Sequence, residues 1–339
     1  MEFPETEKQR SIFENGRFHN PWPTWKNISF LKGVSVAPKF VWNQLTSAPM
    51  VSKTELENEH PVLKPDVKIL ENPPTDKIQF VWIGHATFLI QMEGLNILTD
   101  PVFSHRIGPV SFIGQARYRK PAMTINELPK IDAIVISHDH YDHLDYNSVK
   151  SLNERYGNNL RWFIPLGRGK WLKDCGIEKV TELDWWEESD TSLKGVKFVC
   201  TPCQHWCKRN LTDTYKALAG SWCIIGQQQK FFFAGDTGYC ASFKQIGYHY
   251  GPFTLAAIPI GAYEPRHFLQ PQHVNPEEAI SIYEDIKAKH FVPMHWGTFL
   301  LSFEPILEPP KRILEEVKRR NLTADYFHLP KLGQVTNVS

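Results

Sequence analysis

The sequence offers little that would place the protein across a membrane, outside the cell or on nucleic acid. No apolar run approaches the roughly 20 residues that a membrane-spanning helix needs, and residues 1–20 are charged, without the apolar stretch of a secretory signal. Thirty-eight basic against 37 acidic side chains leave a net charge of +1, which argues against a generally basic nucleic-acid binder. Six cysteines in 339 residues, with no export signal expected, indicate reduced thiols.

The composition is otherwise that of a globular protein that is rich in aromatic residues and histidine. Hydrophobic residues make up 42% and charged residues 22% of the chain, which excludes a wholly disordered or fibrous protein. The chain contains 11 Trp, 21 Phe and 14 His. Aromatic residues usually belong to a core, whereas clustered histidines can bind a metal, so the positions of the histidines decide their meaning.

The chain divides into two segments with different patterns. Residues 1–75 are rich in proline, with Trp22, Trp25 and Trp42 between the prolines and no sustained helical or strand period. We expect an extended N-terminal arm whose aromatic residues pack on the main domain or on a membrane. Residues 76–339 are regularly patterned, and we expect them to form one catalytic domain.

Short apolar strands and amphipathic helices follow one another within the second segment. The predicted strands cover residues 78–90, 96–100, 131–137, 161–165, 179–183, 196–201, 221–226, 230–234, 255–260 and 291–295. The predicted helices cover residues 145–156, 276–289 and 309–320, the first stopped by Gly157 and the second capped by Asn275. Strands that precede helices in separated stretches predict an α/β (α+β) layered fold.

The strongest local motif is H-x-H-x-D-H at residues 138–143, directly after the buried strand 131–137. Three imidazoles and a carboxylate within six residues are good ligands for zinc and related transition metals. A single histidine at a strand end is usually packed or solvated. Burying this cluster without a metal would leave several polar groups to satisfy, so we expect a metal site.

The spacing of the motif predicts two ions, each of which needs further ligands from later strand ends. His138 and His140 could reach one ion, whereas Asp142 and His143 follow a turn and could reach a second. Further candidate ligands close later apolar runs of the chain: His205, Asp236 and His295. Strand ends that each deliver ligands indicate one site at the edge of a sheet pair.

These motifs resemble the metallo-β-lactamase superfamily, whose fold is a four-layer αββα sandwich with the metals at one end of the β layers. The Gly-His-Ala-Thr run at residues 84–87 and the Thr-Asp-Pro run at 99–101 add to the likeness. Longer stretches resemble the family of N-acylphosphatidylethanolamine-hydrolysing phospholipases D. They are residues 136–148, 182–187, 204–209, 231–240, 257–266, 272–274 and 295–299.

The family resemblance implies a set of ligands and an activity. It implies a first zinc on His138, His140 and His205, a second on Asp142, His143 and His295, and Asp236 bridging both. Asp142 and Asp236 would be the catalytic residues. A metal-bridging hydroxide would attack phosphorus and convert N-acylphosphatidylethanolamine into N-acylethanolamine and phosphatidic acid.

Further polar residues lie near these motifs and have two interpretations each. Asp100 and His85 either orient ligands or are an ordinary turn residue and a core residue. Gln272 and His273 either contact the substrate phosphate or lie in a solvated loop. Lys208 and Arg209 either hold an anionic headgroup or are solvated. A separate zinc site is possible in principle at the cysteines around His205, but we expect buried thiols there: Cys200, Cys203 and Cys207.

A lipid substrate predicts a surface that meets a membrane. Residues 101–114 are loop-like and apolar, and they are followed by Arg117, Arg119 and Lys120, a mixture that suits insertion beside anionic headgroups. Packing within the protein is the alternative for this loop. The resemblance implies a peripheral homodimer on the cytosolic side of intracellular membranes.

Two other functions remain open from the sequence. A lactonase of the same superfamily, acting on a phosphorylated sugar lactone, would use the same ligands. A non-catalytic lipid-binding protein would keep the fold without turnover, although the complete set of seven ligand positions argues against it.

Overall fold

Two β-sheets packed face to face organise the chain. The computed structural model describes residues 3–26, 51–110, 112–189 and 193–339, apart from the side chain of residue 53. The strands are β1 (Ile12–Glu14), β2 (Arg17–His19), β3 (Ile78–Gly84), β4 (Thr87–Met92), β5 (Leu95–Thr99), β6 (Arg106–Ile107), β7 (Gln115–Ala116), β8 (Ala133–Val135), β9 (Arg161–Pro165), β10 (Val180–Leu183), β11 (Lys197–Thr201), β12 (Ser221–Ile225), β13 (Lys230–Phe233), β14 (Phe253–Pro259), β15 (Ala288–Met294) and β16 (Val335–Val338).

Helices cover the outer faces of the sheets. They are α1 (Lys53–Glu59), α2 (Val67–Leu70), α3 (Tyr146–Tyr156), α4 (Gly169–Asp174), α5 (Ser242–His249), α6 (Arg266–Leu269), α7 (Pro276–Asp285) and α8 (Glu308–Arg319). Short 3₁₀ turns occur at Ile125–Glu127, Gly157–Asn159 and Ala324–Tyr326. None of the helices in the described ranges has the length and apolar character needed to cross a bilayer.

The two large sheets are mixed. The first has the order β10-β9-β8-β5-β4-β3-β16, and the second has the order β11-β12-β13-β14-β15. In the first sheet, β5, β8, β9 and β10 run parallel, whereas β16, β3, β4 and β5 pair antiparallel. In the second sheet, β13, β14 and β15 run parallel. Neighbouring parallel strands end at the same edge, which is where loops can meet to build a site.

Strand β3 shows how the layers are held together, because it is buried on both faces. Phe80 and Trp82 belong to the core between the sheets, together with Phe231 of the second sheet. Val81 and Ile83 point the other way and share a second core with helix α3. This alternation follows the two-residue period of a strand, and the predicted αββα sandwich is confirmed.

Helix boundaries agree with the predicted caps, with one correction. The Asp145 side chain accepts a hydrogen bond from the Ser148 amide at the start of α3, and Gly157 follows its end. Asn275 forms a capping box at the start of α7. That helix ends at Asp285 rather than near 289, because Lys287 takes a left-handed φ of 59° and β15 begins directly after it.

The apolar segment 78–90 was predicted as one strand and forms two, which is a correction. His85 adopts a φ of 56°, and its carbonyl accepts a hydrogen bond from the Trp82 indole at 2.9 Å. The chain therefore turns at residues 85–86 and returns as β4. Strand β16, which the sequence did not predict, pairs with β3 and closes that edge of the sheet.

The described part of the N-terminal segment contains more regular structure than its proline content predicts. It includes the β1–β2 hairpin and helices α1 and α2, which are too short to give a visible period and start at the capping residues Ser52 and Asp66. Trp22 is buried, and its indole donates to the Cys203 carbonyl at 3.1 Å. Trp42 lies outside the described residues. The domain boundary at residue 75 stays a prediction.

Candidate metal centre

Four strands of the two sheets end around one point of the molecule. His138 follows β8, His205 follows β11, Asp236 follows β13 and His295 follows β15 directly. Several groups of these side chains have ligand atoms within 4.8 Å of one another. The structure brings together all seven residues that were expected to hold metals: His138, His140, Asp142, His143, His205, Asp236 and His295.

The first group consists of three imidazoles. Nε2 of His138 lies 2.9 Å from Nδ1 of His140, and that same Nδ1 lies 3.2 Å from Nε2 of His205. Three ring nitrogens that converge at such distances are arranged to share one positive ion, because imidazole lone pairs otherwise repel.

The second group surrounds the carboxylate of Asp142. Its Oδ2 lies 3.5 Å from Nε2 of His143 and 3.4 Å from Nε2 of His295. Nε2 of His85 lies 3.1 Å from the same oxygen. His85 was expected either to orient a ligand or to belong to the core, and the structure places its buried ring against Asp142.

Asp236 connects the two groups. Its Oδ2 lies 3.2 Å from Nε2 of His143 and 3.1 Å from Nε2 of His295. The same oxygen lies 3.8 Å from Nε2 of both His138 and His205. One carboxylate is therefore within reach of both groups, as a residue that bridges two ions has to be.

Buried polar atoms without hydrogen-bond partners indicate that the clustered side chains could hold a metal. Oδ1 of Asp236 and Nε2 of His143 and His295 are buried and have no hydrogen-bond partner within the described ranges. A buried polar atom without a partner typically costs about 1–3 kcal/mol. Nitrogen and carboxylate donors of this kind suit divalent transition metals, so the residues present fit a pair of such ions.

The charges of the groups follow from burial and from their neighbours. Burial lowers the pKa of His143, but the carboxylates of Asp236 and Asp142 outweigh burial and raise that pKa well above its ordinary value. Burial also opposes protonation of His295, yet the same carboxylates raise its pKa to about 9. Burial holds the pKa of His138 well below its usual value. Burial also lowers the pKa of His140 and His205, so all three imidazoles of the first group favour the neutral form, which is the form that binds a cation.

A buried hydrogen-bond network orients the histidines. Asp100 Oδ2 accepts from Nδ1 of His143 at 2.6 Å, and Asp100 Oδ1 accepts from the Ser137 amide at 2.7 Å. The Ser137 hydroxyl lies 2.9 Å from Nδ1 of His138. The Gln272 carbonyl lies 2.9 Å from Nδ1 of His205. Each partner occupies Nδ1 and leaves Nε2 facing the cluster, which is how ligand histidines are commonly held.

Two of the expected substrate contacts have other partners. The Gln272 side-chain oxygen accepts from the Trp206 indole at 2.6 Å, and its backbone carbonyl lies beside His205, so a contact of Gln272 with phosphate stays a prediction. The Arg209 guanidinium is half-buried and has partners within the protein, and its contact with a headgroup stays a prediction. Its Nη1 donates to the carbonyls of Asp139 and Leu144 at 2.7 and 2.6 Å, which bracket the ligand loop.

The other two expected contacts differ in their position. Nδ1 of His273 lies 3.9 Å from Oδ2 of Asp236, and the ring lies edge-on to His205 and tilted against His295. His273 therefore borders the cluster. The backbone amide of Lys208 donates to Asp139 at 2.7 Å, which keeps this residue next to the ligand loop.

Sequence reasoning missed two residues that shape the ligand loop. Ser137 connects Asp100 with His138, and its place directly before the motif was the only available signal. Arg168 forms ion pairs with Asp139 and Asp213 and lies 30 positions from the motif, so nothing in the sequence connected it with the site.

The cysteines near His205 pack as thiols. Cys203 and Cys207 belong to a small apolar cluster with Ala217 and Ala219. Burial raises the pKa of both thiols well above the ordinary value. Among the described residues, no cysteine belongs to a group that could hold a metal.

Comparison with known proteins agrees with this architecture. A family model described as the beta-lactamase superfamily domain matches residues 95–296. The N-acyl-phosphatidylethanolamine-hydrolyzing phospholipase D 1 of Caenorhabditis elegans is 42% identical over 268 residues, which are 76% of this chain and 75% of that protein. The mitochondrial N-acyl-phosphatidylethanolamine-hydrolyzing phospholipase D of Saccharomyces cerevisiae is 34% identical over 258 residues, 75% of this chain and 54% of that protein.

A solved structure supports the fold. Igni18, a metallo hydrolase from Ignicoccus hospitalis, superposes with a TM-score of 0.60 at 21% identity and covers 78% of this chain and 99% of its own. The sequence relatives place the protein among hydrolases. The chain belongs to the beta-lactamase superfamily and, within it, to the family of N-acylphosphatidylethanolamine-hydrolysing phospholipases D.

Proposed function

We propose that this protein is a zinc-dependent phosphodiesterase that hydrolyses N-acylphosphatidylethanolamine to N-acylethanolamine and phosphatidic acid. In this proposal the first zinc is held by His138, His140 and His205. The second is held by Asp142, His143 and His295, and Asp236 bridges the two. Membership of the phospholipase D family supports the choice of substrate.

One observation carries the proposal of a two-metal centre. The Oδ2 atom of Asp236 lies between the two groups of side chains, within 3.2 Å of His143 and 3.8 Å of His138. Its other oxygen is buried without a hydrogen-bond partner among the described residues. A carboxylate so placed has both oxygens available for two cations.

The chemistry of phosphodiester hydrolysis fits this centre. Two bound zinc ions would supply a water activated for attack on phosphorus and would neutralise charge on the phosphate. Asp142 and Asp236 would act as catalytic residues, Asp142 by holding the second ion and Asp236 by holding both ions against their mutual repulsion. Asp100 and Ser137 keep the imidazoles in the orientation that exposes Nε2. Water adds to phosphorus, the bond to the ethanolamine oxygen breaks, and that oxygen takes up a proton.

The proposal extends to the location of the protein. As the family resemblance implies, we propose a peripheral homodimer that works at phospholipid surfaces on the cytosolic side of intracellular membranes. A substrate with long acyl chains resides in a bilayer, so the enzyme has to act at that surface.

The test is turnover of the lipid by protein loaded with zinc. Vesicles that contain N-acylphosphatidylethanolamine are incubated with the protein, and both products are identified by mass spectrometry. The proposal expects N-acylethanolamine and phosphatidic acid in equal amounts, and loss of both in the Asp236→Asn variant. Hydrolysis of a phosphorylated lactone without lipid cleavage would favour the lactonase instead. Lipid binding without any turnover would favour a non-catalytic lipid-binding protein.

A further inference from the structure

An apolar turn projects from the protein next to the metal centre. Strands β6 and β7 form a short hairpin, and its tip exposes Val110, Phe112 and Ile113. Phe112 is 76% exposed, and Leu211 of a separate loop is 93% exposed. Large apolar side chains grouped at a surface commonly mark a site of interaction.

The tip has a defined shape. At its neck, a Cβ atom on Gly108 would lie 2.1 Å from the carbonyl oxygen of Ile113, so only glycine allows the two sides to approach this closely. Gly114 faces the same restriction against the carbonyl of Ile107. The Ile113 amide donates to the Val110 carbonyl at 3.1 Å and closes a turn. The two sides of the hairpin therefore approach each other closely at the neck below the apolar side chains.

The base of the hairpin is anchored beside the ligands. Ile107 packs with Val102 and Phe299 in a small apolar cluster. The Phe299 ring lies edge-on to the ring of His85, with 5.2 Å between centroids. His85 in turn contacts Asp142. A membrane or protein that binds the tip therefore lies close to the metal centre.

The hairpin tip and the loop that contains Leu211 both lie next to the same cavity. A cavity of about 270 Å³ is lined by Pro109, which precedes Val110, and by Asn210, which precedes Leu211. Tyr141, from the middle of the ligand motif, forms part of its wall. The hairpin and the 211 loop therefore flank an opening next to the residues that would hold the metals.

The positive charge of the segment that carries the tip favours binding to an anionic surface. Residues 101–126 contain four basic and no acidic side chains. Arg117, expected beside headgroups, is buried and donates to the carbonyls of Val102 and Ser104. Arg106 bonds the Gly114 carbonyl at the hairpin neck, and Lys120 is exposed. An apolar tip on a segment whose charged side chains are all basic suits a lipid interface, where acyl chains lie beneath charged headgroups.

We propose that Val110, Phe112, Ile113 and Leu211 insert into the acyl region of a phospholipid bilayer and hold the metal centre at the membrane surface. This inference rests on the proposed function, since it names the surface on which that function takes place. The partner is the bilayer, and the neighbouring cations favour one that contains anionic lipid.

The test separates membrane binding from chemistry. Binding to vesicles of phosphatidylcholine with phosphatidylserine, without substrate, is measured by sedimentation for the wild type and for a Phe112→Ser, Ile113→Ser double variant. Leu314→Ser, which removes an exposed leucine from helix α8, is the matched control. Turnover is measured on vesicles and on a short-chain substrate below its micellar concentration, and thermal melting verifies the fold.

The proposal expects the double variant to bind vesicles at least about tenfold more weakly, because two large apolar side chains no longer enter the bilayer. Turnover on vesicles then falls much more than turnover of the monomeric substrate, and Leu314→Ser behaves as the wild type. Unchanged vesicle binding overturns the proposal. The proposal is also overturned if the double variant binds vesicles normally but changes its oligomeric state in light scattering, because the tip would then be a contact between protein chains. A wild type that binds through the tip but forms no product keeps this inference and refutes the proposed function.

Discussion

Asp100 accepts a hydrogen bond from Nδ1 of His143 with 2.6 Å between the two atoms, and both side chains are fully buried. A hydrogen bond through Nδ1 leaves Nε2 as the ring atom that is turned towards the cluster, where it lies 3.2 Å from Oδ2 of Asp236. The Ser137 hydroxyl donates to the same Asp100 oxygen at 2.5 Å and also lies beside His138. Asp100 thus aligns ligands of both groups without facing the cluster itself.

Replacing Asp100 with Asn should weaken metal binding by about 10–100-fold, because the amide is a poorer acceptor for His143 and no longer sets its orientation. Competition with a chelator of known affinity measures the change. Asp132→Asn is the control, because Asp132 caps a turn through the Asn96 amide at 3.0 Å, away from the ligands. Equal affinities of Asp100→Asn and the wild type would contradict the role of Asp100.

Replacing Asp236 with Asn should lower phosphodiester turnover by at least about a hundredfold even when metal is saturating, because a neutral amide cannot hold two cations together. Steady-state kinetics at increasing zinc concentration test this. Asp174→Asn removes an exposed carboxylate that pairs with Lys170 and serves as the control. Near-normal turnover of a metal-saturated Asp236→Asn protein would refute the bridging role.

His60 should make the fold sensitive to acid. Its buried ring lies between Trp82 and Trp296 with Nε2 3.0 Å from the Gly297 carbonyl, and burial lowers its pKa from 6.5 to about 4. Between these pH values the unfolded chain binds a proton that the folded chain does not, so stability falls as the pH falls from 6.5 towards 4. The loss attributable to His60 is at most about 3 kcal/mol.

The sign of this effect is measurable by denaturant unfolding at a series of pH values. His60→Gln keeps a side-chain donor for the Gly297 carbonyl but does not titrate, so its stability should fall less steeply on acidification than that of the wild type. His267→Gln, at an exposed histidine, should follow the wild-type curve. Parallel curves for His60→Gln and the wild type would show that His60 does not contribute.

Trp22 should couple the N-terminal segment to the catalytic domain. It stacks on Trp185 with 6.2 Å between ring centroids and donates to the Cys203 carbonyl. Trp22→Ala should lower the free energy of unfolding by about 3–5 kcal/mol, the usual range for a buried aromatic residue. Phe13→Ala, at a largely exposed ring, should change stability by less than about 1 kcal/mol. Similar stabilities of Trp22→Ala and Phe13→Ala would mean that this contact is dispensable.

The sequence predicted those parts of the structure that local patterns determine. Apolar strands followed by polar residues located His205, Asp236 and His295, because parallel strands end at a common edge. Gly157 located the end of helix α3, and the cap Asn275 located the start of helix α7. The fold class followed from the order of strands and helices together with the family resemblance.

The remaining features depend on contacts between distant segments. The turn at His85 relies on the Trp82 indole, and β16 exists because β3 offers it a free edge. Gln272 was expected either to contact a phosphate or to lie in a solvated loop, and the structure shows it buried with its backbone carbonyl 2.9 Å from Nδ1 of His205. No residue type signals the use of a backbone carbonyl, so such a role becomes visible only in three dimensions.

The most direct measurement of the central claim follows the oxygen that attacks phosphorus. N-acylphosphatidylethanolamine vesicles are hydrolysed in isotopically labelled water by protein whose metal content is determined on the same sample. The account predicts about two metals per chain and one labelled oxygen in phosphatidic acid, with none in N-acylethanolamine. Label in N-acylethanolamine, or two bound metals with no lipid cleavage, would contradict it.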